Sequence, residues 1–135
     1  MDKRGAVAFL LLVLAQAVHS GEEYAFRLWE HLPPARFVSS LVGMDPATGF
    51  LLSNAALAAF GLWCCAVPVR RRWPLARRLA WGWATIEAAN GCAHLALAAA
   101  AGGYFPGLYT APLLLAGSAL LAWRLLRTSR LRPTA

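Results

Sequence analysis

Long apolar runs at residues 5–26, 50–69, 79–103 and 108–126 are separated by polar or breaker-rich segments. Each approaches the roughly 20 apolar residues a helix needs to cross a bilayer core. The pattern predicts an all-α protein, an integral membrane four-helix bundle forming a single domain over residues 1–135. Residues 27–48 are too polar to cross, and Trp29, Phe37, Arg27 and Arg36 suit a short external interfacial segment between the first two spans. Within it, Pro33-Pro34 predicts an extended or turning chain that folds over the outer mouth of the bundle. Residues 102–107, Gly-Gly-Tyr-Phe-Pro-Gly, predict the turn between the last two spans. The third run is rich in alanine and glycine, which allows neighbouring backbones to approach closely.

Polar clusters interrupt this pattern at His19, Glu22 and Glu23 near the end of the first run, and at Glu87, Asn90 and His94 in the third. Ionisable groups at membrane depth are costly, and several together point to a functional site. On a helix, Glu22 and Glu23 follow His19 by three and four positions, which places both carboxylates about 5–6 Å from the imidazole. Glu87, Asn90 and His94 share one helical stripe by the same logic. His19 is 15 residues beyond Arg4 and His94 is 16 beyond Arg78, so the two histidines are expected at nearly the same depth. Gln16, Asn54, Tyr104 and Thr110 also fall in the outer half, while the inner halves are almost wholly apolar. Glu87 is the exception, about 10 Å below His94 on the same helix.

Charge orients the bundle. Of 13 basic residues against 6 acidic, only Arg27 and Arg36 lie on the outer side of the predicted bundle. Lys3 and Arg4, Arg70, Arg71, Arg72, Arg77 and Arg78, and Arg124, Arg127, Arg130 and Arg132 lie on the other. By the positive-inside rule both termini are cytoplasmic, in the plasma (inner) membrane. This asymmetry reads as topology and lipid-headgroup contact and excludes nucleic acid as a partner. Trp73, Trp81 and Trp83 around the internal basic loop predict an interfacial aromatic belt. A hydrophobic content of 59% and mean hydropathy of +0.52 agree with the membrane class. Cys64, Cys65 and Cys92 have no CxxC spacing and read as small packing residues.

The amino terminus also has the parts of a secretory signal: Lys3 and Arg4, an apolar stretch, and an Ala15-Gln16-Ala17 cleavage-like site. Cleavage there would leave three spans and put His19, Glu22 and Glu23 on a loose end. Because Tyr24, Phe26, Leu28 and Trp29 continue the apolar pattern past this site, the segment is expected to be retained as a helix.

Imidazoles and carboxylates inside a helical bundle suit a divalent iron, manganese or zinc ion, with His19, Glu22, Glu23 and His94 as ligands. Asn90 is then a further ligand or an orienting group, and Glu87 a base or lower ligand. The His-x-x-Glu order reverses the Glu-x-x-His of ferritin-like carboxylate sites and brings one carboxylate fewer. The chemistry expected is metal-assisted hydrolysis or oxidation of a lipid-like or apolar substrate entering from the bilayer. Without metal, close carboxylates sharing a proton suit an acid–base lipid isomerase using Glu87 or Glu23. A third expectation is a non-catalytic small membrane protein that binds or carries an ion or lipid, or stabilises a larger complex; an oligomer is compatible with each of these.

His19-Ser20-Gly21-Glu22-Glu23 resembles the His-x-x-Glu-Glu signature of the HXXEE domain family. Asn90-x-x-x-His94, followed by Tyr104-Phe105-Pro106-Gly107 and Thr110, is similar to that family's second signature. The resemblance implies a small multi-span membrane protein with His19, Glu22, Glu23, Asn90, His94, Tyr104, Pro106 and Gly107 as its motif residues. It implies no particular reaction.

Overall fold

A computed structural model describes residues 1–42 and 45–130; Arg132, counted above among the basic residues, lies outside them. The described chain is all-helical, without strands: α1 (Lys3–Ala25), α2 (Leu28–His31), α3 (Pro33–Ser40), α4 (Pro46–Cys64) with a π-helical turn (Cys65–Val69), α5 (Ala76–Ala101) and α6 (Ala111–Arg130). The long helices start and stop where local chemistry dictates. Asp2 accepts a hydrogen bond from the Gly5 N–H at 2.8 Å and caps α1. Asp45 caps α4 by accepting from the Ala47 and Thr48 N–H groups, each at 3.1 Å, with Pro46 in the first turn. Gly102, at φ +66°, ends α5 in the left-handed conformation that favours glycine.

Residues 27–42 and 45–48 hold more helix than their composition predicts. Pro33-Pro34 does not hold an extended chain; it opens α3, where the missing proline N–H groups would have had no helical partner and φ is already set for a helix. α4 likewise begins at Pro46, a turn before the apolar run at residue 50. Leu28, Trp29 and Phe50 form a small buried cluster with Leu32, Ala35, Ala47 and Phe105 packed on it, so this segment covers one end of the bundle.

The larger apolar core fills the opposite end. Phe9, Leu12 and Val13 of α1 meet Cys64, Trp83, Ala84, Leu121 and Leu125 there. Trp83, expected in an interfacial belt, is only 6% exposed and packs against Phe9, their ring centroids 6.1 Å apart. Its place on the stripe shared by Ala80, Ala84 and Glu87 turns it inward. α1 runs without interruption through the Ala15-Gln16-Ala17 site and contributes residues to this core.

Lys3–Ala25 and Pro46–Val69 are long and apolar enough to cross a membrane. α5 and α6 are 26 and 20 residues long. Their mean hydropathy is lowered by Glu87, Asn90 and His94 in one and by arginines in the other. Between the two apolar clusters lies a buried polar layer containing Gln16, His19, Glu23, Glu87, His94 and Ser118.

Candidate metal centre

α1 and α5 each turn a polar stripe inward. On α1, Gln16, His19 and Glu23 continue the buried face of Phe9, Leu12 and Val13; on α5, Glu87, Gly91 and His94 continue that of Trp83 and Ala84. The side chains of His19 and His94 meet edge to face, ring centroids 4.6 Å apart, as their equal depth predicts. Glu23 closes the group. Its Oε1 lies 3.4 Å from Nε2 of His19 and 3.0 Å from Nε2 of His94. One ligand atom from each of His19, Glu23 and His94 lies within 4.8 Å of the other two, and all three residues are buried.

Hydrogen bonds on the far side of each ring fix which nitrogen faces the centre. Nδ1 of His94 is 2.6 Å from the Pro106 carbonyl, which can only accept, so Nδ1 carries the proton. Nδ1 of His19 is 2.7 Å from Oγ1 of Thr110. That hydroxyl donates its single proton to Oε2 of Glu22 at 2.6 Å, so it accepts from His19, whose Nδ1 is protonated too. In the neutral state both Nε2 lone pairs therefore point at the carboxylate of Glu23. Lone pairs facing each other at 3.0–3.4 Å repel unless a proton or a metal ion lies among them. Outer hydrogen bonds that fix the imidazole tautomer and leave the other nitrogen free are the usual support of a metal-bound histidine.

Glu22, expected as a ligand, turns away from this cluster. Its carboxylate accepts from the Tyr104 hydroxyl (2.8 Å), the N–H groups of Tyr109 (3.1 Å) and Thr110 (2.8 Å), and the Thr110 hydroxyl. The two glutamates of the motif thus divide the work: Glu23 faces the rings, and Glu22 ties α1 to the turn before α6. The N–H groups at the start of α6 have no helical acceptor, so a carboxylate is favoured there.

Gly107 lays that turn directly on the imidazoles. Its φ is +94°, and a Cβ at this position would fall on Nδ1 of His94 and within 2.8 Å of Cε1 of His19. Pro106 is buried beside it and supplies the carbonyl that orients His94. Asn90, expected to orient or ligate, instead hydrogen-bonds Glu87, one turn back on α5. Glu87 is 1% exposed and lies outside the His19–Glu23–His94 group, as its depth predicts.

Gln16 and Asn54 are joined through a residue that the sequence pattern passed over. Gln16 Nε2 donates to Ser20 Oγ at 3.0 Å, Ser20 Oγ donates to Asn54 Oδ1 at 2.8 Å, and Asn54 Nδ2 donates to the Phe50 carbonyl at 3.0 Å. Ser118, in the half of the bundle expected to be apolar, was missed in the same way. Only its position on the Ala111, Leu114, Leu121 stripe marks it as inward-facing.

The molecule is thus a small helical protein whose buried polar layer brings two histidines and a glutamate together. A family model described as a protein of unknown function with an HXXEE motif matches residues 10–122, and the chain belongs to that family. No curated protein and no solved structure matches it.

Proposed function

We propose that this chain is a four-span integral membrane protein that holds a divalent metal ion in its outer half and uses it on a lipid-like or apolar substrate. The spans are residues about 5–26, 50–69, 79–103 and 108–126, with both termini on the cytoplasmic side of the plasma (inner) membrane. The inside-out distribution of side chains supports this reading. Large apolar residues are exposed on all the long helices, among them Val7, Leu11, Val18, Leu51, Phe60, Ile86 and Leu113, while Gln16, His19, Glu23, Glu87 and His94 are buried. In water that arrangement is unfavourable; in lipid it is the expected one.

The convergence of both Nε2 lone pairs on Glu23 carries the metal assignment. Two imidazoles and one carboxylate with positions left open form the donor set of hydrolytic zinc sites and of non-haem iron sites. A metal so held would polarise a substrate carbonyl or activate a water or dioxygen molecule. The chain's own part is to fix the two rings through Thr110 and Pro106, to roof the site with Gly107, and to supply Glu87 as the proton carrier. An apolar groove of about 230 Å³ lies between α1 and α4, lined by Ala17, Ser20, Tyr24, Phe50 and Asn54 among others; none of His19, Glu23 and His94 lines it.

The test is lipid turnover by protein reconstituted in vesicles of native lipid, followed by mass spectrometry. A new product that appears with metal-loaded wild type, and not after chelation or with Glu23→Gln, is the expected result. Turnover that survives chelation would favour the acid–base isomerase, to which the buried Glu87 lends itself. No lipid change with fully loaded protein would leave an ion- or lipid-binding protein.

A further inference from the structure

On the side of the histidine pair away from the Gly102–Gly107 turn the helices bury three more polar atoms that have no hydrogen-bond partner: Oε1 of Gln16, Oε2 of Glu87 and Oγ of Ser118. Their residues are 3%, 1% and 4% exposed and come from α1, α5 and α6. Contacts between helices set their relative depths, with Glu87 and Ser118 at one level and Gln16 about one turn nearer the histidines. Gly91 lies against the Ala111 carbonyl and Leu115, and Arg77 donates to the Leu125 carbonyl at 2.8 Å, so α5 and α6 run antiparallel. Glu87 is four residues before Gly91 and Ser118 three beyond Leu115, which puts both about one turn further in. On α1, Leu12 rests on Gly117, beside Ser118, and Gln16 is one turn above Leu12 on the same face.

The polarity of these groups is set by their surroundings. The donor chain that ends on the Phe50 carbonyl uses the Gln16 amide N–H on Ser20, so the free end of Gln16 is its carbonyl, an acceptor. Ser118 can donate or accept. Glu87 takes part in none of the ion pairs among the described residues; its polar neighbour is Asn90 and its charged neighbour is another carboxylate, Glu23. An ionised Glu87 would therefore be a buried anion with no counter-charge, and such groups are retained as neutral acids.

We propose that Gln16, Glu87 and Ser118 form a proton-loading site separate from the His19–Glu23–His94 centre. Glu87 stands there as the neutral carboxylic acid, and one buried water accepts from the Glu87 and Ser118 hydroxyls and donates to the Gln16 carbonyl. Three hydrogen bonds are the usual complement of a buried water. The site takes a proton and a water molecule, nothing larger, because all three atoms are closed off from the surface. It stands on its own geometry and does not require the metal reading to be correct.

Infrared spectroscopy of the full chain in detergent at neutral pH, chelated and free of metal, tests it. Wild type should show the carbonyl stretch of a protonated carboxylic acid, shifted by ¹³C-glutamate labelling and absent from Glu87→Gln. Ser118→Ala and Gln16→Leu should each move that band to higher frequency as a hydrogen bond is lost. The label assigns the band in wild type, so the result does not depend on a variant folding. Absence of any glutamic-acid band in wild type would overturn the proposal, as would a band that neither Ser118→Ala nor Gln16→Leu moves. Metal content measured on separate unchelated samples reports on the upper centre alone.

Discussion

Nε2 of His94 lies 3.0 Å from Oε1 of Glu23, on the side of the ring opposite the Nδ1–H that donates to the Pro106 carbonyl. Because Nδ1 holds the neutral ring's only proton, this contact joins two electron-rich atoms unless a cation lies between them. His19 repeats the arrangement at 3.4 Å through Thr110. One carboxylate oxygen thus faces two imidazole lone pairs, and the chemistry of the site depends on what neutralises that convergence.

The two motif glutamates are expected to fail differently. Glu23→Ala removes a proposed ligand and should abolish stoichiometric metal. Glu22→Ala frees the loop that orients His19, and should weaken metal affinity by roughly 10- to 100-fold while leaving full occupancy attainable at saturation. Metal titration of both variants checks this. Equal loss in the two would place Glu22 among the ligands after all.

Thr110→Val keeps the shape of the side chain and removes the hydroxyl that links His19 to Glu22. The expected cost is about 1–3 kcal/mol of stability, since a buried imidazole N–H is left unpaired. Metal affinity should fall as well, whereas Thr48→Val, outside the site, should leave it unchanged. Thermal melting and metal titration on the same samples give both numbers.

Gly107→Ala and Gly102→Ala separate backbone strain from crowding. Both positions have positive φ, but a Cβ at Gly102 meets nothing within 4 Å whereas one at Gly107 meets both imidazoles. Each substitution should cost roughly 1–2 kcal/mol for the left-handed backbone. Only Gly107→Ala should also displace the rings and lower metal affinity.

How much of this was legible in the sequence depends on the kind of information involved. The long helices follow from the apolar runs, and the equal depth of His19 and His94 follows from counting residues at 1.5 Å each. Helical spacing brought Glu22 and Glu23 near His19 but could not say which carboxylate would turn inward. That is decided by the N–H groups of Tyr109 and Thr110 at the start of α6, 87 and 88 residues away along the chain. Asn90 shares a helical stripe with both Glu87 and His94, and spacing alone does not say which it bonds; it pairs with Glu87, while His94 finds its acceptor on a loop. Ser20 and Ser118 carry no signal in a pattern of polar and apolar positions, since a lone serine in an apolar helix reads as a small packing residue. Pro33-Pro34 opens a helix where its sequence predicts a turn, because a proline at a helix start and one that ends a helix look alike without the flanking structure.

The bundle's orientation is predicted from its arginines. Reporter fusions after residue 135 and within residues 70–78 should read cytoplasmic, and one within residues 39–48 should read external. Intact mass should show residues 1–20 retained, since α1 supplies Phe9, Leu12 and Val13 to the core as well as His19 to the centre. A mature amino terminus at residue 18 or 21, or an external reading at residues 70–78, would refute the four-span arrangement.

The most direct measurement is elemental analysis of the chain purified in detergent without chelator, alongside His19→Ala and His94→Ala. The expected result is about one iron, manganese or zinc per wild-type chain and none in either variant, because removing one imidazole from so small a ligand set opens the shell. Wild type that carries no metal and cannot bind added iron, manganese or zinc would contradict the account, and would leave Glu23 and the two histidines as a proton-sharing ion pair within the bundle.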